Sequence, residues 1–200
     1  MRGPNVDWPK MELFGEITPD RALLVVALRE EGEHLHQLGL PVLVTGAGKV
    51  RAAAATARTL AEDRPSEVIN LGTAGALKDG LEGIHVIGRA VQHDFDGEAI
   101  FALTGENFGA PLELGDGPAL ATGDRFVADP QLRERLAKLA DLADMEGYAV
   151  AAVAQAVGVP VRLVKIVSDD GSEQAARNWS DSMAACAEQL AAWTAREVPS

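Results

Sequence analysis

The chain is short of cysteine, of long apolar runs and of positive charge, and each shortage removes a class of function. Cys186 is the only cysteine in 200 residues, so an intrachain disulfide cannot form and a zinc site built on cysteines is excluded. No window approaches the roughly 18 continuous apolar residues of a membrane span. The first nine residues include Pro4, Asn5 and Asp7, where a secretory leader needs an apolar stretch. Lysine and arginine total 18 against 30 acidic residues, a formal net charge of −12. A nucleic-acid groove or an anionic membrane needs a positive surface, so neither is an expected partner. A small neutral or cationic ligand fits this balance, and the expectation is a cytoplasmic protein.

The composition that remains is that of a globular domain, with 47% hydrophobic and 24% charged residues. This length suits one domain with a substantial core. Pro9, Gly15 and Pro19 punctuate residues 1–20, which read as a poorly ordered lead-in to a domain over 21–200. Leu23-Leu24-Val25-Val26-Ala27 is the kind of short apolar run found in strands buried on both faces. A polar helical stretch over 29–37 follows, then a strand over 41–45, the turn Gly46-Ala47-Gly48, and an Ala-rich helix over 50–61. A third strand, 67–71, closes on Gly72-Thr73-Ala74-Gly75. Strands alternating with helices indicate parallel pairing with right-handed crossovers.

The glycine-rich middle reads as loops and short β pieces at 84–87, 98–103 and 120–122. Helices are expected over 130–139 and 147–157, with a last strong strand over 161–167. A terminal helix spans 172–197, with Ser172 at its start, and carries Trp179, Met183, Cys186, Leu190 and Trp193 at helical spacing.

Two motifs invite a ligand. Gly46-Ala47-Gly48-Lys49 begins like a dinucleotide fingerprint, but Arg51 stands where the third glycine must let helix and strand approach closely. His93-Asp94-Phe95-Asp96 has metal-ligand residue types. On a strand, however, His93 and Phe95 would point one way and both aspartates the other, which favours local pairing over a metal. No metal and no cofactor are expected.

The informative pattern is a series of segments at matching chain positions. In order they are Ala27-Leu28-Arg29-Glu30-Glu31, Thr45 to Val50, Ile69 to Gly75, His93 to Asp96, Gly123-Asp124-Arg125-Phe126-Val127, Asp144-Met145-Glu146-Gly147 and Val167-Ser168-Asp169-Asp170. Several follow strands at their C-terminal ends, where open α/β sheets place ligands. Over about residues 22–195 the series resembles the purine nucleoside phosphorylase/uridine phosphorylase superfamily, and within it the 5'-methylthioadenosine/S-adenosylhomocysteine nucleosidases. The resemblance implies a single-domain, three-layer α/β/α fold on a mixed, largely parallel sheet. It also implies a small-molecule nucleoside as ligand and a homodimer.

It further implies roles for individual residues. Asp169 matches the aspartate that protonates N7 of adenine, Ser168 the serine that orients it, and Glu31 the carboxylate that activates water. Glu146, beside Met145, matches the glutamate that holds the ribose hydroxyls. Phe126 matches the aromatic stacked on the base, and Val127 the neighbour whose backbone reads the base edge. Ala74 and Gly75 match the pocket floor, and Lys165 the arginine that precedes the Ser-Asp pair. Cleavage of a ribosyl bond needs an acid on the leaving group and a base on water. Asp169 is therefore expected in an apolar or anionic setting that keeps it protonated.

Each residue also has an ordinary reading: a solvated helix face for Glu31, helix ends for Glu146, Asp169 and Asp170, core for Phe126, and an edge or snorkelling position for Lys165. Three departures from the family stand out. The interval from Gly75 to Gly123 is short, in a region that in relatives helps build the dimer. Ile84 then His85 follow Gly83, where the family has an aspartate. Lys165 keeps a charge but loses the planar fork of arginine. Glu30 and Glu31, in a loop without glycine, disfavour a phosphate nucleophile, with Arg29 and Lys49 the opposing charges. The alternatives are a phosphorylase, a futalosine-type hydrolase, or a nucleoside-binding protein without turnover.

Overall fold

The computed structural model describes residues 11–169 and 175–199, the side chains of 169 and 175–181 excepted. Its centre is a ten-stranded sheet in the order β1-β3-β2-β4-β9-β8-β6-β7, with β10 against β4 and β5 against β10. The strands are β1 (Glu12–Phe14), β2 (Ala22–Val26), β3 (Val42–Val44), β4 (Glu67–Ala76), β5 (Ile84–Val86), β6 (Arg89–Gln92), β7 (Leu112–Glu113), β8 (Ala119–Thr122), β9 (Leu142–Asp144) and β10 (Val161–Asp169). Five pairings are parallel and four antiparallel. The helices are α1 (Arg29–Gly32), α2 (Lys49–Glu62), α3 (Gly97–Thr104), α4 (Pro130–Leu136), α5 (Gly147–Ala156) and α6 (Ala175–Glu197), with a 3-10 turn at Leu35–Leu38.

The apolar run of β2 is buried along its whole length because both faces are covered. Leu24 and Val26 join Ile69, Leu71, Val164 and Ile166 beneath Cys186 and Leu190 of α6. Leu23 and Val25 join Leu43 and Val68 against α2 and α5. Fully burying such side chains contributes about 1.5–3 kcal/mol each. Ala52 and Ala55 of α2 lie in this second layer with Ala149, Val150 and Ala154 of α5, where alanine combines high helix propensity with a close helix approach. Helices thus cover both faces of one sheet, the three-layer arrangement the sequence implied.

Where structure and expectation differ, the local chemistry explains it. Residues 98–103 are helical within α3, not β. The Asp96 carboxylate accepts the Ala99 amide at 3.0 Å, and Gly105 closes the helix in a left-handed conformation, so the caps outweigh the apolar composition. The expected lead-in carries β1, whose residues 12–14 pair antiparallel with β3; residues 1–10 lie outside the described part. The stretch 29–37 is one turn of α-helix and a separate 3-10 turn. His93 and Asp94 form a bend after β6 and Phe95 and Asp96 lie in no strand, so the alternation argument applied to them does not hold. Ser172 and the start of the terminal helix, and Trp179's side chain, lie outside the described residues.

One feature of β4 positions everything functional. Its first half pairs with β2 as far as Val25↔Asn70, and its far end pairs with β9 from Gly75↔Ala143. Between them, residues 71–74 have no strand neighbour on that side. A long strand that changes partners opens a crevice there, the general place for ligands in open α/β sheets.

Candidate active site

A cavity of about 330 Å³ fills this crevice, a volume suited to a small ligand. Its walls come from the residues after β2 (Ala27, Leu28, Glu31), from β4 (Thr73, Ala74, Gly75), from the loop after β8 (Arg125, Phe126, Val127), from the end of β9 (Asp144, Met145, Glu146) and from Ser168 of β10. Eight of the sequence-expected residues therefore share one space: Glu31, Ala74, Gly75, Phe126, Val127, Met145, Glu146 and Ser168. The pairing of β10 with β4 shifts register between Val167 and Asp169, as strands often do beside functional sites. Asp169 pairs with Gly75 through the backbone, which brings its chain position to the cavity. Its side chain and Asp170 lie outside the described residues.

Glu31 is 4% exposed and folds back on the chain. Its Oε2 accepts the amides of Ala27 and Leu28, both at 3.1 Å. Its Oε1 accepts the Thr73 amide at 3.1 Å and the Thr73 hydroxyl at 3.3 Å. A solvated helix face, its ordinary reading, is thereby replaced. The Thr73 amide belongs to the stretch of β4 that has no strand partner on the β2 side, so the carboxylate takes the place of a neighbouring strand there.

Glu146 precedes α5 as its N-cap residue, its Oε1 accepting the amide of Gly48, far off in the chain, at 2.7 Å. Burial, then the nearby Asp144 carboxylate, pushes its pKa up to about 8, since a desolvated carboxyl beside a like charge resists ionisation. Phe126 keeps 44% of its surface exposed at the wall and so is not a core residue.

Lys165, expected among the substrate-binding residues, is not on the cavity wall. It is 1% exposed, neither an edge nor a snorkelling lysine. Its ammonium donates to Asn70 Oδ1 at 2.7 Å and pairs with Asp144 Oδ2 at 2.9 Å. Burial alone would depress its pKa; Asp144, then Glu146, outweigh burial and hold it above the usual lysine range. A Cβ added at Gly72 would lie 3.1 Å from Glu31 Oε1 and 3.5 Å from Lys165 Nζ. A larger residue here would crowd the Glu31 carboxylate, while Lys165 stays at ordinary contact distance. The lysine thus underlies the site as the positive centre among Glu31, Asp144 and Glu146.

Sequence reasoning gave no role to Asp144, Thr73 or Asn70. Asp144 accepts the Thr122 hydroxyl at 2.5 Å and the Gly147 amide at 2.7 Å besides pairing with Lys165. The available signal was a lysine in an otherwise apolar strand, which requires a buried carboxylate somewhere. Arg29 and Lys49, the charges that spoke for phosphate, are absent from the cavity wall. Arg29 pairs with Glu12 and Lys49 with Asp94. Among the described residues Arg125 is the one cation on the wall, with a side chain 64% exposed.

Known proteins resemble this chain in sequence and in fold. The profile of the phosphorylase superfamily matches residues 32–138 and 105–198. A 5'-methylthioadenosine/S-adenosylhomocysteine nucleosidase of Chromohalobacter salexigens is 31% identical over 163 residues, covering 68% of this chain and 69% of its own. The enzyme of that name from Shewanella oneidensis is 29% identical, covering 82% of this chain and 85% of its own. The fold matches a crystal structure of the Helicobacter pylori nucleosidase with TM-score 0.78, at 22% identity, over 88% of this chain and 96% of that one. The chain belongs to the phosphorylase superfamily and, within it, to the 5'-methylthioadenosine/S-adenosylhomocysteine nucleosidase family.

Proposed function

We propose that this protein is an N-ribosyl hydrolase that releases adenine from a 5'-modified adenine nucleoside of the methylthioadenosine or S-adenosylhomocysteine type. The observation that carries the reading is Glu31 and Glu146, from distant parts of the chain, on the wall of one cavity with Phe126 and Ser168. In this reading the base stacks on Phe126, the Val127 backbone reads its edge, and Glu146 binds the ribose hydroxyls beside Met145. Ala74 and Gly75 form the floor. Water attacks C1′ as the bond from C1′ to N9 breaks. Asp169, oriented by Ser168, donates the proton that adenine takes at N7, and Glu31 receives the proton lost by water. The Thr73 hydroxyl, the longest of four contacts to Glu31, is the one that water displaces.

Water rather than phosphate suits this cavity. The amides of Gly48 and Lys49, the turn that could cradle a dianion, already donate to Glu146 and Asp124, and among the described residues Arg125 is the one cation on the wall. No helix among the described residues is long and apolar enough to cross a membrane. The acidic balance and single cysteine support a cytoplasmic setting. Helix α3 has no buried residue, and Phe101 and Leu103 are 55% and 82% exposed; burying such a patch supports a homodimer.

The test is to incubate the protein with 5'-methylthioadenosine and with S-adenosylhomocysteine and measure free adenine. Adenine release that is lost in Asp169→Asn and in Glu31→Gln is the expected result. A sugar phosphate appearing only with added phosphate would mean a phosphorylase. No release from either nucleoside, with release of hypoxanthine from futalosine, would move the reading to that substrate.

A further inference from the structure

The motifs Gly46–Lys49 and His93–Asp96 meet in one hydrogen-bonded ring beside the cavity. Gly48 precedes α2 with a φ of +96°, and a Cβ there would lie 3.0 Å from Asp124 Oδ1. Two successive amides at this point each hold a carboxylate from elsewhere in the chain. Gly48 donates to Glu146 Oε1 and Lys49 to Asp124 Oδ1, both at 2.7 Å. The Lys49 ammonium donates to Asp94 Oδ1 at 2.5 Å and to Gln92 Oε1 at 3.0 Å. Asp94 Oδ2 then accepts the Asp124 amide at 2.8 Å, which closes the ring.

The ring joins three segments: the bend after β6, the turn before α2, and the loop between β8 and α4. The last of these continues from Asp124 into Arg125, Phe126 and Val127 on the cavity wall. The Lys49 and Asp94 side chains are 17% and 29% exposed, more sheltered than an ordinary surface pair. Desolvation works against the Asp94 charge, but the Lys49 and Asp124 hydrogen bonds outweigh it and hold its pKa below the usual carboxylate value.

We propose that Asp94, clamped by Lys49, is a positioning residue for base binding: it fixes the loop carrying Phe126 to the same turn that holds Glu146. The base platform and the sugar-binding carboxylate are thereby set against two adjacent amides, those of Gly48 and Lys49. This explains why a glycine turn resembling half of a nucleotide fingerprint needs no phosphate. Its amides are already occupied by the protein's own carboxylates. The proposal rests on the nucleosidase reading, because it takes Phe126 as the platform for the base.

The experiment is a double-mutant cycle on the dissociation constant of adenine, measured by calorimetry for wild type, Asp94→Ala, Phe126→Ala and the double variant. Each single substitution is expected to weaken binding about tenfold, and the double variant to be little weaker than Phe126→Ala, because coupled residues do not act independently. A loss of general stability would lower the melting temperature and leave the two effects multiplying. Lys49→Met and Lys49→Arg provide a second route if Asp94→Ala does not fold. Methionine should reproduce the loss and arginine, which keeps the pairing, should restore affinity. Two independent, multiplying effects, or wild-type adenine affinity in Lys49→Met, would overturn the proposal. Absence of adenine binding by the wild type would overturn the nucleosidase reading and this proposal with it.

Discussion

Replacing Lys165 with methionine tests the electrostatic account of the site most directly. The substitution keeps an unbranched side chain of similar length but removes the positive charge among Glu31, Asp144 and Glu146. In the Lys165–Asp144 pair the side chains are 2% and 1% exposed, so water cannot take over from the lost ammonium. Removing one partner of a buried pair costs about 3–5 kcal/mol, because the other charge stays buried and uncompensated. At about 2–4 °C per kcal/mol for a chain of this size, the melting temperature should fall by roughly 6–20 °C.

Urea unfolding at neutral pH supplies the free energy, with Lys165→Met/Asp144→Asn as the control. Asparagine keeps an acceptor for the Thr122 hydroxyl and removes the orphaned charge. The double variant should therefore regain about 0.5–3 kcal/mol over the sum of the singles. The Lys165 pKa is raised in the fold. Its stabilisation is then fully present below the unfolded lysine value of about 10.4 and lost only as pH rises through the higher folded value. The deficit of the variant should persist across neutral pH. A loss under about 1 kcal/mol, no larger than an average substitution, would refute the reasoning, as would a double variant at the plain sum.

Three further expectations concern the surrounding residues. The pKa of Glu146 rises from 4.5 to about 8 in the fold, so between these values the native state holds a proton that the unfolded chain has released. Stability should therefore fall as pH rises through that window, by up to about 1.4 kcal/mol per unit, and Glu146→Gln should flatten the dependence; equal slopes in thermal melts would contradict this. Gly72→Ala should press on Glu31 Oε1, 3.1 Å from the added Cβ, costing about 1–3 kcal/mol in stability and lowering turnover, and steady-state kinetics at the wild-type rate would count against it. Leu103→Glu on α3 should shift the proposed dimer toward monomer by light scattering, and an unchanged mass would remove that face from the proposed interface.

Much of the scaffold was legible before any coordinates. The run Leu23 to Ala27 announced a strand buried on both faces, because continuous apolar sequence has no other stable use at that length. Ala-rich α2 and the spacing of Met183, Cys186 and Leu190 along α6 declared their buried faces in the same way. At α3 the apolar composition of 98–103 points to a strand, and only the caps Asp96 and Gly105 point to the helix that forms. β1 and β9 escaped because three residues carry too little pattern. Glu31, Glu146, Phe126 and Ser168 were singled out through a resemblance in segment order; no local pattern distinguishes Glu31 from a solvated helix residue.

By itself the sequence determined the longer strands and helices, which faces they bury, and that single lysine in an apolar strand whose charge had to be matched. Local pattern records burial and capping, and both act over a few residues. Tertiary structure alone decided where β4 exchanges β2 for β9, and so where the crevice opens. It also decided that Lys165 lies behind the cavity wall, paired with the wall residue Asp144, and that Asp124 and Glu146 end on neighbouring amides. Those choices depend on how distant segments return to one another, since an electrostatic or hydrogen-bonding partner is defined by distance in space and leaves no periodicity in the chain.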